Sequence, residues 1–140
     1  MSQSRISLKQ GGDFHGHLGP YLVLGILAGE AALKKLNADK YFGLDVKVRG
    51  AAKKPKSCLI DGLQLSTGAT YGKGNIRKLN GAAIKIIFSN RKNNKKIVLE
   101  LKNNIIKKLG QAKSHRDSEI LARELYRTGP LRIFNLTPKT

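Results

Sequence analysis

AAIKIIFSNRKNNKKIVLELK, residues 82–102, decides the fold class. Ala82–Ser89 and Lys96–Lys102 read as two strands, and the polar NRKNNK between them reads as a hairpin turn. Two strands in succession break the regular strand–helix alternation of a doubly wound parallel sheet.

Working outward gives the rest of the order. LDVKVRGAA, Leu44–Ala52, alternates apolar and polar residues and predicts a strand with one wet face. KKPK follows as a basic loop. Ser57–Ser66 predicts a short helix with Ser57 as N-cap and Leu59, Ile60, Leu63 and Leu65 as its apolar residues. Thr67–Asn75, TGATYGKGN, is a glycine-rich loop. Beyond the hairpin, Asn103–Leu109 predicts an amphipathic helix ending at Gly110, and Ser118–Tyr126 another with Ile120, Leu121 and Leu125 inward. LRIFNL, Leu131–Leu136, predicts a last strand.

At the other end, Leu18, Leu22, Ile26, Gly29, Leu33 and Leu36 share a helical face, which predicts a helix over His17–Asn37 with Pro20 in its first turn. Asp13 serves as an N-cap only if that helix starts earlier. Gly25 and Gly29 lower helix propensity, but four apart they let another backbone approach closely, within the fold or across a dimer interface. Helix, strand, helix, strand, strand, helices, strand is an α+β order.

The chain has 140 residues, room for one domain with a core, and its apolar fraction of 40% is modest. One cysteine excludes an internal disulfide framework and points to a reducing cytoplasm. MSQSRISLKQGGD at the start lacks the apolar stretch of a signal peptide. Glu30, Lys34 and Lys35 interrupt Leu18–Leu36, so no membrane partner is expected. The net charge is +18 and lopsided: ten Lys/Arg against five Asp/Glu over residues 1–70, and seventeen against four over 71–140. Such a field favours polyanions, although a solvated lysine-rich surface gives the same count.

DFHGHLGP, Asp13–Pro20, holds two of the three histidines, His15 and His17. With Cys58 they form a candidate transition-metal site of neutral imidazole and thiolate, for which zinc is the default. Cys58 falls at a predicted helix N-terminus, where the dipole lowers a thiol pKa. A buried apolar cysteine and two polar loop histidines is the plainer alternative. Asp61, three residues on, faces the same way as Cys58. It is a candidate ligand, a partner that orients a ligating imidazole, or a general base for bound water. Gln64, a turn further, is placed to bond a substrate or Asp61.

The glycine loop fails the Walker A pattern twice. Gly68 and Gly72 enclose three residues rather than four, and Gly74 follows Lys73 where Ser or Thr is needed. ATP hydrolysis is therefore not expected. A nest of backbone N–H groups with Lys73 would still hold a smaller anion, lined by Thr67, Gly68, Thr70, Gly72 and Asn75. A tight connection needing positive φ explains the same glycines. For nucleic acid the chain has lysines but few aromatics and no recognition motif, which leaves backbone binding.

FHGHLGPYLVLG followed by CLIDGLQLSTGATYGKGN resembles the FmdE family, named for the E component of formylmethanofuran dehydrogenase, whose pattern is similar to FHGHxCPG…G and CxxDxIQxxTGCTxGKGN. The motifs span Phe14–Asn75. The resemblance implies an α+β core with a small mixed sheet packed by helices, like the second domain of glyceraldehyde-3-phosphate dehydrogenase, and homodimers. It implies a metal held by His15, His17 and Cys58, with Asp61 beside them. Many members carry a C-terminal zinc finger with further cysteines; this chain has none and is expected to be the core alone, 1–140. Gly19 and Ala69 stand where the family has cysteines. A dithiol redox role, which needs a second cysteine in the same chain, is thereby not expected, while three protein ligands plus water remain the usual layout of a catalytic zinc.

The resulting expectation is a cytoplasmic, homodimeric α+β protein holding one divalent transition metal, most simply zinc. Asp61 and Lys73 would stand at the open position and act on a small anionic or one-carbon substrate. Its family context is formylmethanofuran dehydrogenase-type metabolism, and docking onto a larger oxidoreductase is a third reading. The rival is a basic polyanion- or nucleic-acid-binding protein with a degenerate site.

Overall fold

A computed structural model describes residues 5–139. The part of the leader reading that falls on residues 1–4 lies outside the described residues. Five helices pack on one face of a mixed five-stranded sheet. In chain order the elements are α1 Leu8–His15, α2 Pro20–Leu36, β1 Leu44–Arg49, α3 Cys58–Thr67, β2 Ile76–Leu79, β3 Lys85–Asn90, β4 Lys96–Leu101, α4 Asn103–Gln111, α5 His115–Thr128 and β5 Phe134–Lys139. A short 3₁₀ turn, Pro130–Arg132, precedes β5.

The α+β expectation holds. Strand order is β2-β1-β3-β4-β5, with β2 parallel to β1 and every other pair antiparallel. The hairpin forms as read. Asn90 closes its turn, taking the amide of Lys92 on Oδ1 at 2.9 Å and donating Nδ2 to the Leu36 carbonyl of α2 at 2.9 Å. Alternation then sets one face of each strand inward: Val46, Val48, Ile86, Phe88, Ile97 and Leu99 are buried. Pro138, which cannot donate to a ladder, sits on the edge strand β5.

Two elements escape the periodicity reading. α1, LKQGGDFH, has no apolar stripe, yet a capping box holds its start: Ser7 Oγ accepts from Gln10 N at 3.0 Å, and Gln10 Oε1 accepts from Ser7 N at 2.8 Å. Asp13 lies inside this helix and caps nothing. β2 is four residues long with two charges, and register with β1 rather than its own pattern makes it a strand.

Boundaries move elsewhere. β1 stops at Arg49 because Gly50 turns the chain at φ +77°. Ser57 does not cap α3; its backbone is already helical and its side chain makes no cap bond. β3 begins at Lys85 rather than Ala82, α4 runs through Gly110 to Gln111, and β5 begins at Phe134. α5 begins at His115 because Ser114 Oγ accepts from Asp117 N at 2.9 Å.

The pattern of α2 predicts one buried face, whereas the helix is buried nearly all round. Gly25 and Gly29 explain how: a Cβ on Gly25 would lie 2.0 Å from the Leu59 carbonyl oxygen, and one on Gly29 1.9 Å from Ser66 Oγ. The glycine pair lets α3 lie directly on α2, so its close approach is made within the fold. Gly25 meets Leu59–Leu63 and Gly29 meets Ser66–Thr67, so the two helices run in the same sense. α1 runs against α2, with Ile6 N donating to Glu30 Oε2 at 2.8 Å and Gly11 packed on Ile26 and Leu22. No described helix is long and apolar enough to cross a membrane.

Candidate metal centre

These helix directions gather four helix ends at one place. α1 ends at His15, where Gly16 (φ +102°) donates its N–H to the Gly12 carbonyl at 2.8 Å in a left-handed cap. A short connection leads to Pro20, where α2 begins. Asp61 projects from the first turn of α3, and its Oδ2 lies 2.6 Å from His15 Nδ1. An ionised carboxylate only accepts, so Nδ1 of His15 carries the proton and Nε2 presents the lone pair. His15 is 13% exposed and Asp61 39%.

The imidazoles follow in a chain. The His15 and His17 ring centroids are 5.1 Å apart and edge to face. His17 and His115 are 5.4 Å apart in the same arrangement. His115 is the first residue of α5, so the N-termini of α2, α3 and α5 all face this cluster. Each carries a partial positive charge that favours an anion. The position of Gly19 belongs to the site as well: a Cβ there would lie 3.0 Å from His17 Cε1, directly against the ring.

Cys58 opens α3 one turn from Asp61 and is half-buried. The helix-dipole expectation of a lowered thiol pKa is corrected. Burial pushes the Cys58 thiol up, Asp61 pushes the same way, and Lys54 only partly opposes them.

The donor chemistry fits a borderline metal. Two imidazoles on one tetrahedral ion, with metal–nitrogen bonds of about 2 Å, have centroids about 5 Å apart, and an ordinary edge-to-face ring pair has the same spacing, so the observed distances fit either arrangement. Among the described residues, however, no three His, Cys, Asp or Glu side chains converge as a ready-made ligand set. A three-ligand site would require the exposed His17 and His115 rings to turn, which their surface position allows.

The structure brings His15, His17, Cys58 and Asp61 to one end of α3 and leaves the glycine loop at the other. Asp61 and Gly68 are seven residues apart along the helix, about 10 Å by its rise. Lys73 is turned away from the histidines: its ammonium donates to the Gly68 carbonyl and lies 5.1 Å from the Phe42 ring centroid. The loop amides bond within the protein. Ala69 N donates to Thr67 Oγ1 at 3.0 Å, Thr70 N to Asn75 Oδ1 at 2.9 Å, Tyr71 N to Gln64 Oε1 at 3.1 Å and Lys73 N to Thr70 Oγ1 at 3.2 Å. Gln64 thus serves the loop rather than Asp61. Of the nest drawn from Thr67, Gly68, Thr70, Gly72 and Asn75, the Gly68 and Thr70 amides and the Thr67, Thr70 and Asn75 side chains are engaged, with Gly68 (φ +76°) packed under Tyr41.

His115 is the site residue that motif reading misses. Its signal is Ser114 with Asp117 three residues on, a capping pattern that starts the helix one residue after the serine. A separate cleft of about 590 Å³ lies where the C-terminal ends of α2 and α5 meet, walled by Glu30, Tyr126, Leu27 and Pro130.

Comparison with known proteins places the chain in a family. A protein of Archaeoglobus fulgidus described as "Probable S-adenosyl-L-methionine-binding protein" is 31% identical over 80 residues, covering 53% of this chain. The chain spans only 21% of that curated relative's length. The crystal structure of a tungsten formylmethanofuran dehydrogenase FmdE-like protein from Syntrophus aciditrophicus superposes with a TM-score of 0.68 at 22% identity, over 95% of this chain and 70% of that one, and shares its fold. Residues 14–132 match the family model described as "FmdE, Molybdenum formylmethanofuran dehydrogenase operon", and the chain belongs to the FmdE family.

Proposed function

We propose that this FmdE-family protein binds one divalent transition metal, zinc by donor chemistry, through His15 Nε2, His17 and Cys58. The observation that carries the reading is the 2.6 Å pairing of His15 Nδ1 with Asp61 Oδ2. A carboxylate on the far nitrogen fixes the tautomer and raises the basicity of a ligating imidazole. When bound, the metal would supply Lewis-acid polarisation or a lowered water pKa.

The chain's own residues do the rest. Asp61 orients His15 and, being partly exposed, is placed to take a proton from a group at the site. The three helix N-termini favour a small anion there, such as a one-carbon carboxylate. Lys73, engaged at the Gly68 carbonyl, stays outside this account unless it swings free. The link to formylmethanofuran dehydrogenase-type one-carbon metabolism rests on the family description. A homodimer, and docking onto a larger oxidoreductase, belong to the same reading; sedimentation velocity with and without a co-purified partner tests both. The metal itself is tested by elemental analysis of protein purified without added metal, compared with His17→Ala and Cys58→Ser.

A second reading rests on the cleft. Its volume suits a small molecule, and Arg5, Lys34, Lys40 and Arg127 line it beside the single carboxylate Glu30, so a ligand carrying an anionic group fits it best. The ligand in the curated relative's description carries a carboxylate beside its sulfonium centre. Equilibrium dialysis with labelled S-adenosyl-L-methionine tests it, and no retention at millimolar ligand sinks it.

A further inference from the structure

The helices cover one face of the sheet only. Register sets what stands on the other: Lys47 lies opposite Arg77 across β1 and β2, and Ile87 opposite Val98 across β3 and β4. Ser89 and Lys96 are partners on one side of this row, and Lys85 and Glu100 on the other.

The two carboxylates on this face are both occupied. Asp45 Oδ2 is 3.7 Å from Arg91 Nε, and Glu100 Oε1 is 3.9 Å from Lys85 Nζ. Lys47, Arg49, Arg77, Lys96 and Lys139 are left without a carboxylate partner among the described residues. Lys47 and Arg77 are like charges directly opposed across neighbouring strands, an arrangement that destabilises a sheet unless an anion offsets it. With Lys96 they line a shallow cleft of about 240 Å³, in which Ser89 and Asn94 add hydrogen-bonding groups.

From this charge arrangement we infer that the open sheet face binds the phosphate backbone of nucleic acid. Four inter-strand intervals of about 4.8 Å make the face about 19 Å wide, enough for several phosphates. None of its side chains is aromatic, so bases find no stacking platform and binding is independent of sequence. The face lies across the sheet from the histidine cluster, and its charge is the same whether or not that cluster holds a metal.

The test is fluorescence anisotropy on the full chain, with a labelled oligothymidine and a labelled mixed-sequence duplex, each about 20 nucleotides long, over a salt series. Lys47→Glu/Arg77→Glu/Lys96→Glu is compared with Lys34→Glu/Lys35→Glu/Lys107→Glu, an equal charge change at exposed helical positions. The sheet variant is expected to lose at least about tenfold in affinity and the helical variant less than about threefold. The slope of log K against log salt on the duplex falls by about 2.7 in the sheet variant, for three lost phosphate contacts. Should the triple variant fail to fold, Arg77→Gln and Lys96→Gln are read singly in the same direction. Equal loss in both triple variants, no binding by the wild type at low salt, or equal competition by polyglutamate at matched charge overturns the inference.

Discussion

His15 Nδ1 and Asp61 Oδ2, 46 residues apart in the chain, meet at 2.6 Å where α1 ends and α3 begins. This pairing fixes the tautomer of the last residue of α1 and leaves Nε2 as the other ring nitrogen of the site. Asp61→Asn retains the shape and removes the charge. It is expected to weaken metal binding about 10- to 100-fold, measured by competition with a chromophoric chelator. Unchanged affinity would mean that the carboxylate plays no part in the site.

Cys58 supplies a pH prediction. With the thiol pKa raised, the thiolate fraction at neutral pH is below that of a free cysteine, so metal-free protein alkylates slowly. The iodoacetamide rate should rise with pH, with its midpoint above the ordinary thiol value. Asp61→Asn removes a charge that opposes the thiolate and moves the midpoint down; Lys54→Met removes one that favours it and moves the midpoint up. A midpoint below that of free cysteine would show that the helix N-terminus outweighs burial.

Gly25→Ala tests the packing that positions the site. The added methyl would meet the Leu59 carbonyl at 2.0 Å, and α3 must move away. A destabilisation of about 2–3 kcal/mol is expected in urea unfolding. Because α3 carries Cys58 and Asp61, metal affinity should fall with it.

Asn75 links the glycine loop to β1. It is 4% exposed, accepts from Thr70 N at 2.9 Å and donates to the Tyr41 carbonyl at 3.0 Å. Asn75→Ala leaves these part-buried groups without their partner, and a cost of about 1–3 kcal/mol follows. Full stability with altered ligand binding would instead assign Asn75 to a ligand.

Much of this arrangement is readable from residue patterns. The hairpin over residues 82–102 decides the class because its turn and flanking strands are local. Spacing singles out His15, His17, Cys58 and Asp61, and they do occupy one end of α3. What pattern does not reach is set by distant contacts. His115 joins the cluster only because α5 folds back beside α2, and no spacing from His17 encodes that. The loop amides are satisfied by Gln64, Thr67 and Asn75, which a glycine count does not reveal. The direction of the thiol pKa shift is illegible for a related reason: the dipole follows from position in a helix, whereas burial follows from what packs around it.

Whether the histidine cluster holds a metal is read from the metal content of protein purified without added metal. One divalent ion per chain is expected, lost in His17→Ala and Cys58→Ser variants that still fold. Substoichiometric metal, unchanged by either substitution, would contradict it.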